Sequence, residues 1–562
     1  MRRAVTWTCQ AVVVLLFAAA FWLRASSLES LPEPNGDEAW HGTQAYHIAH
    51  GEPVYLQTGN GNPLNPLNTG LMSLLLKFSE PRLWVLRTPA LICGVLAVIL
   101  AYFLSVRVLD KTTALLASAF LAVLPAAICY SRRGWDCSPT PLFGVLLLVA
   151  SYRAKWKEML LAFVGGLLCH PTNVFMLPVV LPIYLARTQP AFLTDPRRRK
   201  QVAIGVVVVL GLFFVAGMAF MNRPQVRLLQ IHGFEGGRPR WGVALRLNSR
   251  EALLYLRRLP ILFLGEPGAS KSATSVQNWA FWTVLLGTFV TGTVRLVRER
   301  CWDRLALVAG LGAGASSLFL IAGAAGLRPV TNRYGLFLVA PLAFACAVLV
   351  RALVVEPSSP GRRIVRSVQV AGLLAVGWGL LLCYQHNFVD LFQGNARAES
   401  LWTLRTDVED PRYGALRVVI RDSRLEGPAR AGQKTVIVAY DWWTRWPLTY
   451  LTANLGFVDV HQLIGPIAPG PDKPALRRFL EEGAYAVCFR GQDLEKAVAE
   501  LFPADRIQRW EVARPGNVAP PPNAGHLMRY CTSVVVYRLK PPSAELAQAP
   551  LRAAGANNVG RW

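Results

Sequence analysis

Runs of 15 to 23 predominantly apolar residues recur along the chain, and no other feature restricts its fold so strongly. A helix needs about 20 such residues to cross the hydrocarbon core of a bilayer. The runs 9–23, 84–106, 112–129, 138–152, 202–221, 278–297, 305–326, 335–355 and 367–384 meet or approach that length. A further stretch, 159–187, is broken at His170-Pro171-Thr172-Asn173 and reads as one long kinked helix or as two short ones. Charge parity decides between them. Two passes keep Asp195-Pro196-Arg197-Arg198-Arg199-Lys200 on the same side as Arg2-Arg3, Arg153, Lys155, Lys157, Arg295, Arg298, Arg300, Arg362, Arg363 and Arg366. One pass would split these basic groups between the two sides, against the positive-inside tendency. The sequence therefore predicts a polytopic α-helical membrane protein of about eleven spans. Its N-terminus is expected in the cytoplasm and its C-terminus outside. Residues 1–23 also look like a signal peptide, with Arg2-Arg3 before an apolar stretch and Ala18-Ala19-Ala20 near its end, but the bulky Phe21-Trp22-Leu23-Arg24 follows with no clear cleavage site, so they read as an uncleaved first span.

Composition agrees. Of 562 residues, 53% are hydrophobic and only 17% charged, whereas soluble domains carry about 25% charged residues. The formal charge of +25 would suggest a nucleic-acid partner in a soluble protein. Residues 384–562, however, hold 22 Lys and Arg against 18 Asp and Glu, a net of +4, which leaves +21 in the apolar part. Orientation in the membrane explains much of that excess, and nucleic acid falls away as a partner. Ten scattered cysteines make no disulfide scaffold, and no zinc-like CxxC spacing occurs. Cys129 with Cys137, or Cys488 with Cys531, could pair if outside the cytoplasm.

On this topology the membrane domain covers 1–384, with external loops at 24–83, 130–137 and 222–277 and a short external turn at 327–334. The apolar stretch Leu64–Phe78, interrupted by Pro66 and Asn68, suits a helix lying at the interface. From about 385 acids become frequent. Strand-like runs Thr435–Tyr440, Ala484–Arg490 and Ser533–Leu539 alternate with helix-like 411–425, 474–482 and 493–502, which predicts an extracytoplasmic α/β domain over 385–541. The Ala-, Pro- and Gly-rich composition of 542–562 predicts a disordered tail.

Residues able to do chemistry gather in the expected external loops. Asp37 and Glu38 are adjacent about a dozen residues past the first span, where a partly desolvated carboxylate can act as a general base. Acids also favour the first turn of a helix, so a purely structural role competes. His41 lies at i+4 from Asp37, with His47 and His50 following, but the spacing matches no zinc motif and no metal is assigned. The second loop reads Tyr130-Ser131-Arg132-Arg133-Gly134-Trp135-Asp136. Paired guanidinium groups there could clamp a phosphate, or form an ion pair with Asp136. His170 and Asn173 at the broken run, and Arg333 and Tyr334 in the short turn, fall on the same side. Charged groups near a bundle interior usually mark a pathway or a site. Walker A, GxGxxG, HExxH and GxSxG patterns are absent, so ATP-driven transport, nicotinamide chemistry and hydrolase catalysis lose their usual support.

The order of these motifs resembles the GT-C membrane glycosyltransferases, most closely the protein O-mannosyltransferase and aminoarabinose transferase family. The matching residues are Asp37-Glu38 after a first span, Asn62-Pro63-Leu64, Arg87-Thr88-Pro89-Ala90-Leu91, Val106-Arg107-Val108-Leu109-Asp110, Tyr130-Ser131-Arg132 with Asp136, and Asn332-Arg333-Tyr334 before a Pro-containing span. The likeness covers 1–200 well and 300–385 loosely. It implies an enzyme that takes a sugar from a polyprenyl-phosphate carrier on the outer side, with Asp37, Glu38 and Asp136 at the catalytic centre. Arg132, Arg133 and Arg333 would hold the lipid phosphate, and His41, Tyr130, His170, Asn173 and Tyr334 would line the substrate pocket. The sequence departs from the family at Gly61-Asn62-Pro63-Leu64-Asn65-Pro66-Leu67, where aminoarabinose transferases often carry a Lys.

The expectation is thus an inverting membrane glycosyltransferase, set in a bacterial inner membrane, acting on a lipid, glycan or protein acceptor. A divalent cation is the one cofactor left open. A glycan ligase of the same architecture and a non-catalytic lipid-sugar transporter or flippase are the alternatives. A transporter would more often show internal repeats and acids near mid-span, and neither is evident.

Overall fold

A computed structural model describes residues 2–29, 34–57, 64–188, 271–324, 332–354, 411–439, 442–463, 471–513 and 533–540, with isolated positions at 197, 200 and between 364 and 385. The run 202–221, residues 222–270 of the loop 222–277, most of 367–384, Cys531 and the tail 542–562 lie outside the described residues. The chain divides into two compact units, 1–408 and 409–562.

The first unit is helical: α1 (Arg2–Ala25), α2 (Gly36–His50), α3 (Pro66–Leu76), α4 (Leu83–Ser105), α5 (Lys111–Val123), α6 (Pro125–Ser131), α7 (Thr140–Tyr152), α8 (Trp156–Cys169), α9 (Leu177–Thr188), α10 (Lys271–Arg298), α11 (Trp302–Ala324) and α12 (Val339–Leu353). Among the described residues, Leu83–Ser105 and Gly335–Leu353 are each long and apolar enough to cross a membrane. The expected single span 112–129 is instead two helices, α5 and α6, bent by 59°. Pro125 causes the break, because it has no N–H to donate to the preceding turn and drives Leu124 into an extended conformation (ψ 118°).

Helix α8 stops where the sequence reading placed an interruption. His170 is extended (φ −158°, ψ 137°), a 3-10 turn covers Pro171–Met176, and α9 follows. The end of α9 returns to the level where α7 ended, since Arg187 donates to the Tyr152 carbonyl at 3.0 Å. The α8 and α9 segments therefore run out and back.

Two polar ends result. At one, Asp110 between α4 and α5 pairs with Arg304 of α11 and Arg351 of α12 at 3.5 Å each, and Arg187 meets Asp303. At the other lie the start of α2, residues 130–137 and His170. Between them sits a core that includes Val145, Leu148, Met176, Val179, Phe337 and Phe344. Helix α3 buries Asn68, Thr69, Met72, Ser73 and Leu76 and exposes Leu71 and Leu74, with Phe78 exposed just beyond it, the two-faced pattern of an interfacial helix.

The second unit is a five-stranded sheet in the order β2-β1-β3-β5-β4, from β1 (Thr435–Ala439), β2 (Val458–Gln462), β3 (Tyr485–Phe489), β4 (Ile507–Ala513) and β5 (Ser533–Leu539). Strand β1 runs parallel to β2 and β3, while β5 is antiparallel to β3 and β4. The central strands β3 and β5 are buried along nearly their whole length, as continuous apolar runs predict. Helices α13 (Pro411–Leu425), α14 (Trp442–Leu451), α15 (Lys473–Glu481) and α16 (Asp493–Leu501) accompany the sheet. Leu476, Leu480, Leu494 and Val498 of α15 and α16 pack on Val438, Ala486, Cys488 and Val535. Trp446 is buried and meets Trp442 edge-on at 5.4 Å.

Candidate functional site

Asn35 starts α2 and forms a capping box: its side chain accepts the Asp37 N–H at 2.9 Å, and its own N–H donates to Glu38 Oε1 at 3.0 Å. Glu38 does more than cap. It is fully buried and paired in two places with the fully buried Arg87 of α4, through Nη2 to Oε1 at 2.6 Å and Nε to Oε2 at 3.3 Å. The Gly134 N–H donates to the same Oε2 at 2.9 Å. Four donors thus fill this carboxylate, while the neighbouring Asp37 is half-buried. Gly134 is required by contact: a Cβ there would stand 2.8 Å from the Leu86 carbonyl oxygen.

The 130–137 loop is locked to its surroundings. Trp135 donates from Nε1 to Asn35 Oδ1 at 3.0 Å, its carbonyl accepts from Asn68 Nδ2 at 3.1 Å, and Tyr130 packs edge-on against its ring at 5.5 Å. Arg133, also buried, lies over the Trp135 ring at 4.9 Å. Arg132 is fully buried and gives Nη1 to the Leu23 carbonyl at 2.8 Å and Nη2 to the Ser26 carbonyl. Those carbonyls end α1, where the helix dipole favours a cation. Arg24 answers from α1, donating to the Leu121 and Ala122 carbonyls at the end of α5, both at 2.8 Å, and to Ser131 Oγ at 3.3 Å. Two arginines therefore exchange across the α1 and α5–α6 junction.

Asp136 accepts the Cys137 N–H at Oδ1 (2.9 Å), and its Oδ2 stands 4.0 Å from His170 Nε2. Asn65 at the start of α3 donates to the carbonyls of Asp136 and Cys169. Asn173 uses its amide to close the end of α8, donating to the Gly166 and His170 carbonyls and to Thr140 Oγ1. His41 is buried edge-on to Trp40.

Thus the start of α2, loop 130–137, the start of α3 and the turn after α8 meet at one end of the first unit. Asn173 and Arg132 are committed to helix ends, whereas Asp37, Asp136 and His170 stand among the converging groups. Arg333 and Tyr334 fall in a 3-10 segment, Asn332–Leu338, and their side chains lie outside the described residues. Cys129 and Cys137 are both buried and form no disulfide with each other. Among the described residues no group of three or more His, Cys, Asp or Glu is placed to hold a metal ion. Of this assembly, Arg24 has no site role in the sequence motifs, and Arg87 and Asn65 occur there only within the family-like segments. The available signal was a lone Arg inside, or at the end of, an apolar run, which in a membrane protein faces the interior.

A family model described as dolichyl-phosphate-mannose-protein mannosyltransferase matches residues 63–218. No curated protein matches the chain. Among solved structures, ArnT from Cupriavidus metallidurans in the apo state aligns with a TM-score of 0.53 at 14% identity, over 95% of this chain and 98% of that one. The same protein bound to undecaprenyl phosphate aligns with a TM-score of 0.52 at 13% identity, over 97% and 100%. At such identities the likeness shows a shared fold. Residues 63–218 are therefore similar to the dolichyl-phosphate-mannose-protein mannosyltransferase family, and the chain as a whole shares the fold of ArnT.

Proposed function

We propose that this chain transfers a sugar from a polyprenyl-phosphate-linked donor to a lipid, glycan or protein acceptor at the extracytoplasmic face of a bacterial inner membrane, inverting the anomeric configuration. The observation that carries the reading is the meeting of the start of α2, which bears Asp37, with loop 130–137, where Asp136 faces His170, at the end of the helical unit opposite Arg187, Arg304 and Arg351. The exposed Arg153 and Arg187 mark the cytoplasmic side, whereas Arg24, Arg87, Arg132 and Arg133 at the other end are buried, so Asp37 and Asp136 belong outside. ArnT, which shares the fold, has been solved with undecaprenyl phosphate, and this supports a carrier of that class here.

Asp37 accepts the proton of an acceptor hydroxyl, whose oxygen forms a bond to the anomeric carbon from the face opposite the phosphate. The carbon–oxygen bond to the carrier breaks, and its electron pair leaves with the lipid phosphate. Arg133, with Arg333, stabilises the charge that develops there. Arg132 contributes indirectly, by holding the loop that carries Arg133 against the end of α1. The prenyl chain needs only apolar surface, which Leu71, Leu74 and Phe78 offer on and beside α3.

The test is Asp37→Asn, assayed for transfer from undecaprenyl-phosphate-linked sugars in membranes where expression and thermal stability match the parent. Loss of a positioned general base predicts a fall of about 10²- to 10⁴-fold. Parental turnover by that variant overturns the assignment.

A further inference from the structure

We propose that His170 is a positioning residue for Asp136, presenting an N–H to its carboxylate, and not a ligand of the substrate. The proposal deepens the glycosyl-transfer reading and rests on it for what Asp136 does. Its geometric basis is independent. His170 Nδ1 accepts the Thr172 backbone N–H at 3.3 Å and stands 2.7 Å from Thr172 Oγ1. A ring nitrogen that accepts an N–H carries no proton, so the neutral imidazole bears its hydrogen on Nε2. That nitrogen is the one 4.0 Å from Asp136 Oδ2.

Both backbones are fixed by a third residue. Asn65 Nδ2 donates to the carbonyl of Asp136 at 3.4 Å and to that of Cys169, the residue before His170. Asp136 Oδ1 accepts the Cys137 N–H, and His170 faces Oδ2. The gap exceeds a hydrogen bond, as catalytic contacts often do before substrate arrives, and a small closure of the turn completes it. Asp136 keeps 29% of its side chain exposed, against 10% for His170, so the carboxylate is the member that meets a ligand.

Two substitutions separate this role from the capping of the 3-10 turn. His170→Asn keeps an acceptor for the Thr172 N–H and removes the donor to Asp136. His170→Gln carries an amide nitrogen to the region of Nε2 and gives up the acceptor. With radiolabelled undecaprenyl-phosphate mannose, glucose and aminoarabinose as probes, His170→Gln retains most of the parental kcat. His170→Asn loses about ten- to a hundredfold in kcat with KM little changed, the range that a hydrogen bond to an ionised group spans. The reverse order, or equal activity in both variants, overturns the proposal. A second readout needs no turnover: ¹⁵N-histidine NMR of the full chain in nanodiscs shows one Nε2–H tautomer whose resonance moves in Asp136→Asn. A protonated Nδ1, or no movement, overturns it. If the resonance moves but the parent turns over none of the probes, the pair stands and the glycosyl-transfer reading falls.

Discussion

Glu38 caps α2 and at the same time pairs with Arg87 in the interior. Adjacent acids in an external loop suggest a shared catalytic task, yet the capping geometry at Asn35 turns Glu38 inward to Arg87, leaving Asp37 beside the surface. An ion pair buried this fully is expensive to break, because the surviving charge stays out of water without compensation. Glu38→Gln therefore destabilises the protein by about 3–5 kcal/mol, read as a lower midpoint of thermal unfolding in micelles. The double variant Glu38→Gln with Arg87→Met recovers part of that loss, so a thermodynamic cycle gives a coupling well above zero. Strict additivity of the two changes contradicts the account. Arg87 lies 49 positions from Glu38, and Arg24 lies 107 from Ser131. One sequence contains no trace of such pairings beyond the oddity of a cation in an apolar run.

Asp110 joins elements that a hydropathy profile treats as separate. It caps α5 through the Thr113 N–H at 3.0 Å and Oγ1 at 2.6 Å, and reaches Arg304 and Arg351 on α11 and α12. Burial alone would raise its pKa, but the Thr113 hydrogen bonds and the two guanidinium groups outweigh burial and hold the carboxyl below the usual carboxylate range. A depressed folded-state pKa contributes stability above the unfolded value, near 4, and loses it as pH falls through the folded one. Thermal stability should decline as pH drops below about 4, and Asp110→Asn should flatten that decline; an unchanged slope contradicts the account. Helix boundaries were readable where periodicity and capping agree. The runs 411–425, 474–482 and 493–502 match α13, α15 and α16 to within a residue or so, and the break at His170 follows from its Pro171 neighbour. The bend at Pro125 was visible as a residue but outweighed by the apolar run around it. Strands β2 and β4 escaped because each is a sheet edge, where polar residues such as Asp459, His461, Arg509 and Glu511 blur the apolar signal.

Across the whole helical unit, charge and chemistry are separated along the helix axes. Arg187, Arg304 and Arg351 share one end with Asp110 and Asp303, while Asp37, Asp136 and His170 share the other. The parity of basic loops assigns sides from sequence, since each pass must reverse the side. It could not anticipate how the groups at the Asp136 end interlock, which depends on side chains such as Asn65 and Trp135 bridging loops far apart in the chain. A cryo-electron microscopy structure of the full chain in nanodiscs with undecaprenyl phosphate tests the central claim most directly. Phosphate density is expected within hydrogen-bond distance of Arg133, at the end that holds Asp37, Asp136 and His170. Phosphate bound instead among Arg187, Arg304 and Arg351, at the opposite end, would contradict it.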